Sequence, residues 1–205
     1  MKIFNLTSEH FKKTIGGHFE KIDRTDYRVE VSHSDKAIHI TGRCSDDDDW
    51  PDNFDFRQRP VKWFPDSDIL VHAGFLRQYK STRSKLLDIC YEYPGYSIYV
   101  DGFSLGASWT QIFLQDVLHR WPDRDVLAIL YAPGNPWRKL PKKYKDALKR
   151  CTYFVRSIWD PVTWMGLLRF YRYGKHITLG KWYRILPLQH TPDQIIRGLK
   201  ERGGK

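Results

Sequence analysis

Ser104 is the residue best equipped for covalent chemistry in this chain, because of what stands two positions to either side of it. Gly102-Phe103-Ser104-Leu105-Gly106 follows the apolar run Ser97 to Val100 and precedes a segment of helical periodicity opening at Leu105. A serine held on a sharp strand-to-helix turn exposes its hydroxyl, and the flanking glycines let the backbone pack where a Cβ would clash. The amides and positive dipole end of the following helix then face any charge that develops on a carbonyl oxygen under attack. The chemistry such a turn serves is nucleophilic acyl transfer.

A neutral hydroxyl is a weak nucleophile, so an imidazole must take its proton and a carboxylate must orient that imidazole. With this kind of turn the chain order is serine, then acid, then histidine. Asp160 follows an apolar strand at its carboxyl end, the edge of the sheet where Ser104 stands. Asp146 lies in a basic helical segment and reads as a solvated charge, while Asp123 and Asp125 sit in a turn at the opposite edge. Two histidines follow Asp160. His190 stands in Leu188-Gln189-His190-Thr191-Pro192, a loop before a terminal helix, and is preferred because loops at a sheet edge supply such groups; His176, in a strand-like segment, is the alternative. His10, His18, His33, His39, His72 and His119 precede Asp160 or lie off the sheet edge, and read as structural or surface residues.

The elements that must carry these residues alternate. Tyr27 to Ser32 and Ala37 to Gly42 read as paired strands across a polar turn. From Phe75 to Tyr93 the apolar positions recur at helical spacing until Pro94-Gly95, and Leu105 to Trp121 has an apolar face that Pro122 ends. Val126 to Tyr131 is apolar throughout, as in a strand buried on both faces. Lys142 to Arg150 predicts a short basic helix, Cys151 to Ile158 a strand, and Lys175 to Leu186 a strand region broken at Gly180-Lys181. Strands alternating with helices predict an α/β fold, a mostly parallel central sheet with helices on both faces and its chemistry at the carboxyl ends of the strands.

At 205 residues, 41% of them hydrophobic, the chain suits one domain. No run approaches the roughly 18 apolar residues of a membrane span, and residues 1–10 hold no apolar run like that of a secretory signal. Three cysteines, Cys44, Cys90 and Cys151, form no Cys-x-x-Cys pair, and Cys90 and Cys151 sit in apolar segments as core thiols. A reducing, cytoplasmic setting is expected from this. The acidic run Asp46 to Asp49 lacks the alternating ligand spacing of a calcium loop and reads as a surface loop, so neither metal nor cofactor is expected. The net charge of +10 is compatible with an anionic partner but selects none; the densest basic stretch, Arg138 to Arg150, is explained by a solvated helix face, and nucleic acid is not expected as a partner.

Several blocks together resemble the class 3 lipase family, the fungal-lipase-like branch of the α/β hydrolases, from about Ala37 to Leu199. They are Val71-His72-Ala73-Gly74-Phe75, Tyr99 to Ala107 around the serine, Tyr131-Ala132-Pro133-Gly134-Asn135-Pro136, and Trp159-Asp160-Pro161-Val162. The expected organisation is a single α/β-hydrolase domain over residues 1–205, with residues 1–26 as an N-terminal helical segment. The resemblance implies a lipase or esterase acting on lipid or small esters through Ser104, Asp160 and His190. His176 to Trp182 is similar to a structural strand block of the family, which aligns His190 with the family's catalytic histidine. Ile40-Thr41-Gly42-Arg43 takes the place of its oxyanion loop, so the implied donors are the backbone N–H groups of Arg43 and Leu105. The sequence departs from the family where Phe103 replaces a usual His, Ala107 a usual Gly, and Arg43 a usual Thr or Ser.

In the same family residues 56–70 would correspond to a lid. Trp63 and Phe64 would then dip into lipid while Arg57, Arg59 and Lys62 meet anionic headgroups of a membrane surface; a packed surface loop is the competing reading. The competing reading for the whole chain is a catalytically degenerate hydrolase scaffold serving as a basic, tryptophan-rich binding protein for nucleic acid or a partner.

Overall fold

The structure is a computed structural model that describes residues 6–43, 55–64, 68–157, 160, 162, 170–179 and 190–203. Cys44, the acidic run at 46–49 and the remainder of the expected strand region at 180–186 lie outside the described residues.

Among the described residues the central sheet has seven strands: β1 (Glu20–Ile22), β2 (Thr25–Ser32), β3 (Ala37–Gly42), β6 (Ser97–Phe103), β7 (Val126–Tyr131), β9 (Thr152–Ser157) and β10 (Lys175–Leu179), in spatial order β1-β2-β3-β6-β7-β9-β10. The β1–β2 and β2–β3 pairs are antiparallel, and every pair from β3 to β10 is parallel. A parallel ladder leaves both faces to be covered, and the alternation of side chains along β6 and β7 does the sorting. Ile98, Val100, Ala128 and Leu130 face one core, while Phe103, Ile129 and Tyr131 face the other.

The larger core lies under α2 (Ala73–Glu92), α3 (Leu105–Arg120) and α4 (Lys142–Cys151); the smaller lies under α1 (Ser8–Ile15) and α5 (Pro192–Gly203). Among the described residues, no helix is long and apolar enough to cross a membrane.

Among the described residues 6–26 the helix spans Ser8–Ile15, where Thr7 caps the first turn by accepting from the His10 amide at 3.1 Å. Gly16 and Gly17 then end the helix, Gly17 at φ +88°, and β1 folds back on β2 through Asp23 at φ 53°.

The segment 56–70 is where a lid or a packed loop is expected. Its described part enters a small antiparallel sheet of β4 (Gln58–Pro60), β5 (Leu70–His72) and β8 (Trp137–Lys139), with the Val61 amide donating to the Ile69 carbonyl at 3.1 Å. Val61, Phe64 and Ile69 belong to the larger core, and Trp63 packs on it beside Tyr79. Phe64 meets His119, at the far end of α3 from Ser104 and roughly 20 Å along its axis. These aromatic rings pack on the flank of the core, at the end of α3 away from the serine.

Candidate active site

Ser104 sits between β6 and α3 with φ 55° and ψ −121°, a conformation rarely adopted by a residue with a Cβ. Its neighbours hold it there. The Ser104 amide donates to the Tyr131 carbonyl at 2.9 Å, and its carbonyl accepts from the Ser108 amide at 3.1 Å and the Ser108 hydroxyl at 2.8 Å. Ser108 Oγ in turn accepts from the Gly134 amide at 2.8 Å, tying the elbow to the loop after β7.

The glycines are required by contact. A Cβ on Gly102 would meet the Ala107 Cα and N at 2.8 Å, and one on Gly106 would meet the Gly42 carbonyl oxygen at 2.2 Å. The turn thus lets α3 start against the ends of both β6 and β3.

Ser104 is joined by two of the residues expected to accompany it. Ser104 Oγ lies 2.6 Å from His190 Nε2, and His190 Nδ1 lies 2.9 and 3.0 Å from the two Asp160 oxygens. An ionised carboxylate can only accept, so Nδ1 carries the proton and donates to Asp160, which leaves Nε2 as the acceptor for the Ser104 hydroxyl. Asp160 has no exposed side-chain surface, His190 retains 17%, and Ser104 is 4% exposed. Asp160 Oδ1 also accepts from the Val162 amide at 2.9 Å.

His190 stands two residues before the start of α5, whose first turn is anchored where Thr191 Oγ1 accepts from the Gln194 amide at 3.4 Å. Arg156 on β9 and Arg172 add positive charge within electrostatic reach of Asp160. Burial, and the repulsion of Arg156, bring Arg172 down to about 10.

His176 is elsewhere. It stands on β10 opposite Phe154, with the ring centres 5.3 Å apart, and is pushed down to about 4 by desolvation and by Arg172 and Arg156. Of the two imidazoles left open by the sequence, His190 is the one in hydrogen-bond range of Ser104.

The two expected oxyanion donors fare differently. Leu105 is the first helical residue of α3, a position where the N–H has no intrahelical acceptor and points out of the helix end. The Arg43 amide, although beside Gly106, donates to the Asp26 carbonyl at 3.1 Å and so is occupied in this conformation.

One neighbour was not foreseen: the Phe103 ring is stacked on the His190 imidazole, with centroids 5.4 Å apart and planes 16° apart. The available signal was Phe103 itself, an aromatic residue directly before the nucleophile.

Residues 38–167 of the chain match the family model for Lipase (class 3). A lipase of Rhizomucor miehei is 31% identical over 118 residues, covering 55% of this chain and 32% of that protein, so the match spans about a third of the relative's length. Among solved structures, the Rhizomucor miehei lipase propeptide complex superposes with a TM-score of 0.61 at 20% identity, covering 86% of this chain and 62% of that one. A triacylglycerol lipase from Penicillium expansum gives 0.62 at 20% identity, covering 81% and 69%. A triacylglycerol lipase described as having a serine protease triad at its catalytic centre gives 0.62 at 18% identity, covering 95% and 87%. These structures share the α/β-hydrolase fold with this chain.

Proposed function

This chain belongs to the class 3 lipase family, and from that premise we propose that it is a serine-dependent lipase or esterase hydrolysing carboxylic esters of lipids through an acyl-enzyme on Ser104. Ser104 Oγ attacks the ester carbonyl while its proton passes to His190 Nε2, and Asp160 holds the resulting imidazolium through Nδ1. The oxyanion is bound by the Leu105 N–H, and by the Arg43 N–H once the substrate oxygen replaces the Asp26 carbonyl as its acceptor. The alcohol leaves with the proton from His190. Water then gives its proton to His190 and attacks the acyl group, and Ser104 is regenerated.

The observation that carries this reading is the unbroken line of hydrogen bonds from Ser104 Oγ through His190 to a fully buried Asp160. A degenerate scaffold has no need of a serine in strained backbone aimed at an oriented imidazole. Hydrolysis of a short-chain p-nitrophenyl ester by Ser104→Ala, measured beside the parent, tests it. We expect a loss of roughly 10⁴-fold or more in kcat, and undiminished turnover by the variant rules the reading out.

Contact with an anionic lipid surface is part of the same reading, supported by the net charge of +10 and by the exposed side chains of Arg59, Lys62, Arg138 and Lys142. Sedimentation with phosphatidylglycerol and with phosphatidylcholine vesicles tests it, and equal binding to both contradicts it. Cys90 and Cys151, both free and buried, fit a reducing compartment such as the cytoplasm.

A further inference from the structure

Phe103 stands directly before the nucleophile, and strand alternation along β6 turns it to the face that carries α1 and α5. Its ring lies nearly parallel to the His190 imidazole, and it makes an edge-type contact with the ring of Phe11 on α1, with centroids 5.5 Å apart and planes at 73°. Phe11 is fully buried and also packs on the Tyr131 ring at 4.5 Å. The bonds from His190 to Ser104 and Asp160 run along the edge of the imidazole and do little to resist rotation out of its plane. A ring laid flat on that plane does resist it.

The face of a phenyl ring is also the negative end of its quadrupole, and a cation within about 6 Å of the ring centre is attracted to it. His190 becomes such a cation in each half of the reaction.

We propose that Phe103 is a positioning residue for His190: its ring face, backed by Phe11, fixes the plane of the imidazole and stabilises the imidazolium formed when Ser104 gives up its proton. This rests on the hydrolase reading for its catalytic consequence, but the interaction itself does not depend on turnover. The other charges around His190 come from neighbouring elements. Asp160 bonds to it directly, Arg156 on β9 and Arg172 act through Asp160, and the His10–Asp101 pair, 3.0 Å apart, lies behind Phe103 between α1 and β6. None of these is altered when Phe103 is exchanged for another apolar side chain.

The test compares Phe103→Leu, which keeps an apolar group but loses the π face, with Phe103→Tyr, which keeps the face. Two readouts are taken: kcat and KM for a soluble short-chain ester from pH 5 to 9, and the NMR titration of the His190 imidazole in a Ser104→Ala background. With the leucine we expect kcat to fall about 2- to 5-fold at unchanged KM, and the imidazole titration and the acid limb of kcat to move down by about 0.3–0.7 pH unit. The tyrosine variant should recover both. A leucine variant with the parent's titration and kcat overturns the proposal, as does an equal loss in the leucine and tyrosine variants. Phe103→Met replaces the leucine variant if the latter does not fold. Absence of turnover in the parent would refute the hydrolase reading alone, since the titration still decides whether the ring stabilises the charged imidazole.

Discussion

Gly106→Ala should separate the geometry of the elbow from the stability of the fold. The added Cβ would stand 2.2 Å from the Gly42 carbonyl oxygen, 2.3 Å from its carbon and 2.6 Å from the Arg43 nitrogen. Ordinary contact begins at roughly 3.5 Å, so the end of β3 and the first turn of α3 must part by about 1 Å. All three atoms are backbone, so no side-chain rotation relieves the clash.

Overpacking of this kind costs about 1–3 kcal/mol, and the better helix propensity of alanine returns up to about 1 kcal/mol. The net loss of about 0–3 kcal/mol corresponds to a fall in Tm of at most roughly 12 °C for a domain of this size. Activity should suffer far more, because α3 carries Ser104 and the Leu105 amide, and a displacement of about 1 Å at a reacting group costs on the order of 100-fold. Ester hydrolysis at saturating substrate and thermal melting by circular dichroism measure the two effects. Gly203→Ala, where a Cβ meets nothing within 4 Å, is the control. A Gly106→Ala protein with kcat within about threefold of the parent would refute the reasoning, since the close approach would then not control where the serine stands.

Asp116 on α3 has no exposed side-chain surface and accepts from Tyr79 Oη at 2.8 Å, Arg83 Nε at 2.6 Å and Arg120 Nε at 2.8 Å. Asp116→Ala should lower the unfolding free energy by about 3 kcal/mol, read from urea denaturation, and a change below about 1 kcal/mol would contradict the importance of that network. His176 ordinarily titrates near 6.5 but is held down to about 4 in the fold. The unfolded chain therefore binds a proton that the folded one refuses, so stability falls as pH drops from 6.5 toward 4, by an amount that the solvent around the exposed His176 reduces. His176→Gln should flatten the fall in urea midpoint between pH 7 and 4.5, and an unchanged slope would count against this account. Burial raises the Cys90 thiol to about 11, so it should resist a disulfide reagent at pH 8 until the protein unfolds; rapid modification of Cys90 in the native state would be the contrary result.

What could be read from the residues was what depends on local periodicity. The strands Ala37–Gly42 and Val126–Tyr131, the helices opening near Ala73 and at Leu105, and the parallel order all follow from patterns that burial on one or both faces imposes. β4, β5 and β8 are three residues each, too short for alternation to register. Trp63 and Phe64 leave two readings open for another reason: aromatic rings among basic residues look alike on a lipid-facing loop and over a core. The partners that decide the matter, Tyr79, His119 and Tyr144, are distant in sequence. The engagement of the Arg43 amide depends on how β2 and β3 pair beyond Gly42, which a Gly-Arg dipeptide does not encode. Ser104 and Asp160 could be located because each stands just past the carboxyl end of a strand. The sequence favours His190 over His176 by its loop position and by the family resemblance, and the arrangement of side chains in space puts one beside the serine and the other beside Phe154.

The most direct measurement traps the covalent bond. Incubation with a fluorophosphonate followed by peptide mass spectrometry should find one adduct per chain, carried on Ser104, absent from Ser104→Ala and formed far more slowly in His190→Ala. A stoichiometric adduct on another residue, or labelling that proceeds unchanged without the Ser104 hydroxyl, would contradict an acyl-enzyme at this turn.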